Sequence, residues 1–443
     1  MKSAPGKRVA FYTLGCKTNQ YDTEAMQEQF VRNGYQLVSF QEDSDVYVVN
    51  TCTVTNLGDR KSRQMIRKAH RTNPNAVIAV VGCYAQQAAE EVLSIPGVKV
   101  AVGTKNRNRI VEYVEMAEAT QSSINAVEDI MKVREFEDTP IEAFDGKTRA
   151  VLKIQEGCNQ FCSYCIIPYA RGPIRSRNPN SVLSEVQRLA EAGFQEVVLT
   201  GIHIASYGKD LKAADLLGLL KSIHDVEGIQ RIRLGSIEPT LLSDEFVQTV
   251  KDLSKVCRHY HISLQSGCDA TLKRMNRKYT AAQYRTIVER LRKEIPEAAV
   301  TTDIMVGFPG ETHDEFLESY AFAEAIEFSK IHVFQYSPRA GTPAASFANQ
   351  VPAECKEQRS RKLIELGHQL ERTFMKQFLD REVTVLFEEE HPDREGFYEG
   401  YTDQYVRVMA KGNSELEGRL LPVMIKGIDE DRLMGQIICR EID

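Results

Sequence analysis

Between residues 8 and 102, short and almost wholly apolar runs alternate with longer segments in which apolar residues return every three or four positions. That alternation predicts a parallel α/β sheet, because strands covered by helices on both faces lose the polar half of their pattern. Strands are expected at 8–14, 45–51, 76–81 and 98–102. The pattern fades over 121–147, which reads as a linker, and restarts at 148. Strand-like runs at 150–154, 196–200, 231–236, 259–264, 300–306 and 331–336 are separated by helix-like sequence, including 179–192. They describe a partial (β/α)6 barrel with its site at the carboxyl ends of the strands. A polar helix follows over 351–379. Beyond it, short alternating runs at 383–387, 397–401, 405–409, 418–428 and 433–439 are punctuated by turns such as His391-Pro392-Asp393 and Lys411-Gly412-Asn413. Five short strands of this kind predict a small OB-like β-barrel. The expected fold class is therefore α/β in three domains, 1–120, 148–375 and 376–443.

The 443-residue length suits three domains, and 42% hydrophobic with 27% charged residues is an ordinary globular balance. No apolar run approaches the ~18 residues of a membrane span, and the amino terminus carries no apolar secretory stretch. A cytoplasmic protein without membrane contact is expected, and in that reducing compartment ten cysteines point to metal or redox use rather than to disulfides. The net charge of −6 is unevenly spread: residues 1–120 hold 15 Lys and Arg against 12 Asp and Glu, whereas 376–443 hold 9 against 16. A nucleic acid would have to be met by local basic patches.

The densest chemistry lies in Gly157-Cys158-Asn159-Gln160-Phe161-Cys162-Ser163-Tyr164-Cys165. A structural zinc site closes four ligands around a tetrahedron. Here three thiolates stand in one loop, and the nearest downstream histidine is His203. Iron–sulfur clusters take cysteines at such spacings, and a missing fourth ligand leaves one iron open to substrate; a degenerate zinc knuckle is the plain alternative. A second set is dispersed. Cys16, Cys52 and Cys83 each follow an expected strand, 36 and 31 residues apart, the length of a strand with its crossover helix. Right-handed crossovers bring such positions to one edge of the sheet, where open α/β sheets hold ligands. Either a second cluster site or three core cysteines follows. Cys257, Cys268, Cys355 and Cys439 are isolated and read as structural.

Between the second and third strands runs a stretch containing Arg60, Lys61, Arg63, Arg67, Lys68 and Arg71 with no acidic residue among them. It is either a phosphate-contacting helix or a solvated face; Lys105, Arg107 and Arg109 extend its basic character. At the barrel's expected strand ends stand Thr200, Gly201, Ser236, Glu238 and the turn Gly307-Phe308-Pro309-Gly310-Glu311, while Gln265 and Asp303 need partners or a ligand. Arg171, Arg175 and Arg177 are candidates for RNA phosphate or a carboxylate, or else for ion pairing at the barrel rim.

With both cysteine sets in view, the chain resembles the radical S-adenosylmethionine methylthiotransferases over nearly its whole length. The resemblance implies a cluster-binding amino-terminal domain, a radical core and a carboxy-terminal TRAM domain. It implies two 4Fe-4S clusters, a radical one on Cys158, Cys162 and Cys165 and an auxiliary one on Cys16, Cys52 and Cys83. It also implies S-adenosylmethionine as cofactor, contacted by Tyr164, Thr200, Gly201 and Glu238. Cluster and cofactor carry the chemistry, so no side chain is assigned as catalytic: a 5′-deoxyadenosyl radical removes hydrogen from the adenine carbon between two ring nitrogens, and the auxiliary cluster delivers sulfur. The implied partners are tRNA and a reducing electron donor of the flavodoxin or ferredoxin kind, and the chain is expected to act as a monomer. The runs Thr13-Leu14-Gly15-Cys16-Lys17-Thr18-Asn19-Gln20 and Asn50-Thr51-Cys52-Thr53-Val54-Thr55 look most like the branch that modifies threonylcarbamoyladenosine next to the anticodon, at tRNA adenosine 37. Two branches, acting on isopentenyladenosine or on a ribosomal-protein aspartate, stand beside it, as does a non-catalytic RNA-binding metalloprotein.

Overall fold

The computed structural model describes residues 6–139, 141 and 148–438. Six parallel strands open the chain: β1 (Arg8–Thr13), β2 (Gln36–Val38), β3 (Val46–Thr51), β4 (Val77–Gly82), β5 (Val98–Val102) and β6 (Ile124–Asn125), in the order β2-β1-β3-β4-β5-β6. Strands β3 and β4 are buried at every position, as their unbroken apolar runs require. Apolar cores cover both faces of the sheet. The chain leaves β1 for the edge strand β2 and returns on the other side as β3, so the order reverses between β1 and β3. A crevice opens at such a switch point. Three helices start at the carboxyl ends of β1, β3 and β4: α1 (Lys17–Arg32), α2 (Asn56–Thr72) and α3 (Cys83–Gln87). The short strands β2 and β6 escape the sequence pattern because two or three residues carry no period.

The barrel comprises β7 (Arg149–Glu156), β8 (Arg175–Ser176), β9 (Glu196–Gly201), β10 (Arg231–Leu234), β11 (His259–His261), β12 (Ala299–Val306) and β13 (Lys330–Gln335). The sheets β10-β9-β7-β8 and β11-β12-β13 are joined by isolated parallel bridges between Ile232 and Val256 and between Ile237 and Ile262. Six parallel strands thus form an open arc, with β8 antiparallel on the edge of β7. Strand β11 ends three residues earlier than the apolar run suggests. Gln265, at φ 69°, turns the chain out of register before one bridge to Ile304 restores the pairing.

After the helix Ala353–Lys376, a closed barrel follows in the order β14-β15-β16-β18-β17. Its strands are β14 (Glu382–Glu390), β15 (Phe397–Tyr401), β16 (Arg407–Lys411), β17 (Leu420–Asp429) and β18 (Arg432–Ile437). The third strand begins at Arg407 rather than 405, because Tyr405 sits in a left-handed turn at φ 65° and its N–H donates to the Thr402 carbonyl at 3.0 Å. Cys439 lies outside the described residues; Cys257 and Cys268 are buried and Cys355 half-buried. No described helix is long and apolar enough to cross a membrane.

Candidate metal centres and adjoining cleft

The dispersed cysteines meet at the β1/β3 crevice. Cys16 is the residue before α1, Cys52 follows β3 directly, and Cys83 opens α3. Gly15, at φ 107°, lets the first loop pass Cys52: a Cβ there would stand 2.9 Å from the Cys52 Cβ. Asn19 holds the loops by donating from Nδ2 to the carbonyls of Leu14 (2.6 Å) and Thr51 (3.1 Å). Asn50 in turn donates to the Asn19 carbonyl at 2.9 Å. Burial pushes the Cys52 thiol up to about 11, reinforced by Cys83 and Cys16, and burial raises Cys83 as well. The Cys52 thiol feels both Cys83 and Cys16, and the Cys83 thiol feels Cys16, so the three gather around one space.

Arg171 reaches into that space from the barrel domain. Fully buried, it donates from Nε to the Cys83 sulfur at 3.3 Å and from its other nitrogens to Asp22, Glu156 and the Asn19 side-chain oxygen. Arg107 and Lys153 complete the ring around Asp22, and Arg107 and Arg175 also reach Glu156. Burial pushes both carboxyls up, but the surrounding cations outweigh it and hold them below the usual carboxylate range. Arg177 is equally buried against Glu185 and Asp138. Of the two readings of these arginines, ion pairing is the one observed: none of Arg171, Arg175 and Arg177 faces solvent, where RNA would be met. Arg107 leaves the basic surface too, and Arg109 pairs with Glu112 at 2.5 Å.

The compact loop is braced on both sides. Gly157, at φ 73°, packs so tightly that a Cβ would stand 1.9 Å from the Pro173 carbonyl oxygen. The Cys158 N–H donates to the Gly172 carbonyl at 3.0 Å, and the Ser163 N–H to that of Met275 at 3.1 Å. Burial pushes the thiols of Cys158 and Cys165 up to about 11 and about 12, with Cys162 adding to both. Arg277, which no sequence pattern marks, donates to the Cys162 sulfur at 3.4 Å and to Glu238 at 3.0 Å. Burial pushes the Glu238 carboxyl up, but His203, 3.6 Å away, and the charge of Arg277 hold it below its usual value. Tyr164 is half-buried in an apolar group with Phe308 and Phe347. The Gly307–Glu311 turn is structural: Glu311 accepts from the Gly307 N–H at 3.1 Å and pairs with Arg359.

A cleft of about 710 Å³ runs from Gly15 and Cys16 past Thr200, Gly201 and Ser236 to Tyr401 and Tyr405 of the closed barrel. Asp303 lies on its wall, 3.2 Å from His261. Tyr401 and Tyr405 stack at 4.7 Å, and Lys17, Arg149 and Arg233 stand over the Tyr405 ring at 5.6, 5.2 and 4.6 Å. Burial alone would push the Tyr405 phenol up; these cations draw it down. On α2, Arg60, Lys61, Arg67 and Arg71 are exposed, whereas Arg63 is drawn to Tyr84 and Glu91 and Lys68 to Gln41.

The donor sets fit clusters. Each triad offers three sulfurs around one space with a buried guanidinium on one of them, which balances thiolate charge. Among the described residues, no three His, Cys, Asp or Glu side chains are gathered for a single metal ion.

Residues 8–103 match the model of the uncharacterized protein family UPF0004, and residues 152–323 that of the radical SAM superfamily. The chain is 46% identical to the threonylcarbamoyladenosine tRNA methylthiotransferase MtaB of Bacillus subtilis, over 94% of this chain and 93% of that one. It is 34% identical to the tRNA-2-methylthio-N(6)-dimethylallyladenosine synthase of Clostridium novyi, over 99% and 98%. Among solved structures, the radical S-adenosylmethionine methyltransferase TsrM from Kitasatospora setae shares the fold, with a TM-score of 0.59 at 14% identity over 77% of each chain.

Proposed function

The chain belongs to the radical S-adenosylmethionine methylthiotransferase family, and from that premise we propose that it adds a methylthio group to carbon 2 of threonylcarbamoyladenosine in tRNA, at adenosine 37. Its higher identity to the threonylcarbamoyladenosine relative than to the dimethylallyladenosine one carries this reading. Cys158, Cys162 and Cys165 hold a 4Fe-4S cluster beside S-adenosylmethionine, and Cys16, Cys52 and Cys83 hold a second. Together these groups supply the one-electron chemistry that breaks an aromatic C–H bond and the sulfur that replaces the hydrogen.

The residues of the chain hold, orient and shield. Arg171 and Arg277 place buried positive charge on one sulfur of each triad, where thiolates taken out of water need compensation. Thr200 and Gly201 on the cleft wall, Glu238 braced by Arg277, and Tyr164 in its apolar pocket are the S-adenosylmethionine contacts in this reading. Arg60, Lys61, Arg67 and Arg71 form the tRNA-facing surface. Among the described residues they carry neither an ion pair nor a side-chain hydrogen bond, unlike Arg63 and Lys68, and are free to meet phosphates.

Anaerobic incubation of the iron-loaded protein with S-adenosylmethionine, a reductant and threonylcarbamoyladenosine-containing tRNA is expected to yield a 2-methylthio derivative of that nucleoside by mass spectrometry. Product only on dimethylallyladenosine or on a ribosomal protein overturns the substrate assignment. Replacing the four α2 cations by Gln should reduce the log–log salt slope of tRNA binding by about 3–4; an unchanged slope returns α2 to a solvated face.

A further inference from the structure

The cleft beside Cys16 carries four basic side chains on its wall: Lys17, Arg233, Lys330 and Arg407. Three are neutralised within the protein. Arg233 pairs with Glu196 at 2.6 Å, Lys330 with Glu371 at 2.7 Å and Arg407 with Asp431 at 3.5 Å. Lys17 has no carboxylate within ion-pair distance among the described residues, and its ammonium group lies over the Tyr405 ring. Its neighbours there do not supply the missing anion, because Arg149 spends its charge on Glu388 and Arg233 on Glu196. Of the four, Lys17 alone is left without a carboxylate beside it among the described residues. Tyr405 holds a left-handed backbone conformation at this spot, a departure that ordinary turns assign to Gly or Asn.

We propose that Lys17 binds the carboxylate of the threonylcarbamoyl group, which makes it a specificity determinant; this rests on the substrate reading above. One ammonium group without a carboxylate partner matches one carboxylate. The reach is set by covalent structure on both sides. Lys17 directly follows Cys16. In the purine, carbon 2 and the carbon bearing the substituted amine flank the same ring nitrogen. A base that offers carbon 2 to the Cys16 site therefore carries its side chain toward the Lys17 wall. The stacked Tyr401–Tyr405 pair offers that side chain an aromatic surface. An RNA phosphate is the other source of a single negative charge, and the two predict different binding patterns.

The test compares two anticodon stem-loops, one with threonylcarbamoyladenosine and one with its threonyl carboxylate converted to the neutral amide. Binding is measured to the iron-loaded wild type and to Lys17→Gln and Lys17→Arg, each checked for wild-type iron content. The wild type should favour the carboxylate RNA by on the order of tenfold, the value of one charged hydrogen bond. Lys17→Gln should lose that preference while binding the amide RNA as the wild type does, and Lys17→Arg should keep most of it. Equal weakening toward both RNAs assigns Lys17 to backbone phosphate and overturns the proposal, as does a preference that survives in Lys17→Gln. If the wild type fails to methylthiolate the carboxylate RNA at all, the substrate reading falls and the subsite with it.

Discussion

Cys158, Cys162 and Cys165 share one eight-residue loop, whereas Cys16, Cys52 and Cys83 are gathered by three strands of a sheet. The two sites offer the same donors and are held differently. The compact triad is gathered by its own loop, which is braced from outside where Gly157 packs on Pro173, Cys158 bonds to Gly172 and Ser163 to Met275. The dispersed triad depends on a fold being complete, and its most buried thiol receives a hydrogen bond from an arginine of the neighbouring domain. A local site can survive strain elsewhere; a dispersed one reports on the assembly around it.

The largest effects should come from the thiols. Cys162→Ala and Cys52→Ala are each expected to abolish methylthiolation and to remove about half of the ~8 irons that two four-iron sites hold. They should differ in a second readout: Cys52→Ala still cleaves S-adenosylmethionine when reduced, whereas Cys162→Ala does not. Iron analysis and product chromatography check this. If either variant kept its full iron, the pairing of triads with two separate sites would be wrong.

Next come the two guanidinium groups. Arg171 serves Cys83, Asp22, Glu156 and Asn19 at once, so Arg171→Leu leaves two buried carboxylates short of charge. Breaking a buried ion network this way costs about 3–5 kcal/mol. Arg277 compensates one carboxylate, Glu238, and Arg277→Leu should cost about 1.5–3 kcal/mol. Denaturant unfolding of the apo-proteins should therefore place Arg171→Leu well below Arg277→Leu. The reverse order would mean that the compact site is the one that leans on its surroundings.

The same contrast decides what could be read from sequence. The compact triad is visible as spacing alone, and the dispersed one becomes visible once each cysteine is seen to end a strand, because the sheet's topology then does the gathering. The sheet, the arc and the closed barrel follow from apolar periodicity, since each strand has enough residues to show its period. The arginines could not be read in this way. Arg171, Arg175 and Arg177 look like a basic rim in sequence, and only the positions of Asp22, Glu156 and Glu185 in space turn them inward. Arg277 lies 112 residues beyond Cys165 with no pattern to connect them. Lys17 was hidden differently: the role proposed for it rests on its lacking a carboxylate partner among the described residues, and that is visible only when every carboxylate near it is accounted for.

The smallest effects, and the finest division between the sites, lie in two glycines. Both Gly157 and Gly15 have positive φ, so alanine costs roughly 1–2 kcal/mol at either from backbone conformation alone. What the new methyl group meets differs. At residue 157 it would stand 1.9 Å from a backbone oxygen, that of Pro173, and 2.6 Å from the oxygen of Gly172. Backbone cannot swing aside, and the Gly172 carbonyl is the acceptor that holds the Cys158 N–H, so Gly157→Ala should displace the loop and lower iron retention at the compact site. At residue 15 the nearest atom is the Cys52 Cβ at 2.9 Å, followed by the Asn19 Nδ2 at 3.0 Å. The Cys52 Cβ moves only with its own backbone, but a shift of about half an ångström there and at the Asn19 amide restores ordinary contact. Gly15→Ala should therefore keep its iron at loading and lose it faster to a chelator, as the displaced Cys52 thiol holds less firmly. Chelator-challenge rates on the two variants check the division: if Gly15→Ala failed to load while Gly157→Ala loaded normally, the dispersed site would be the more rigid of the two and the contrast between them would reverse.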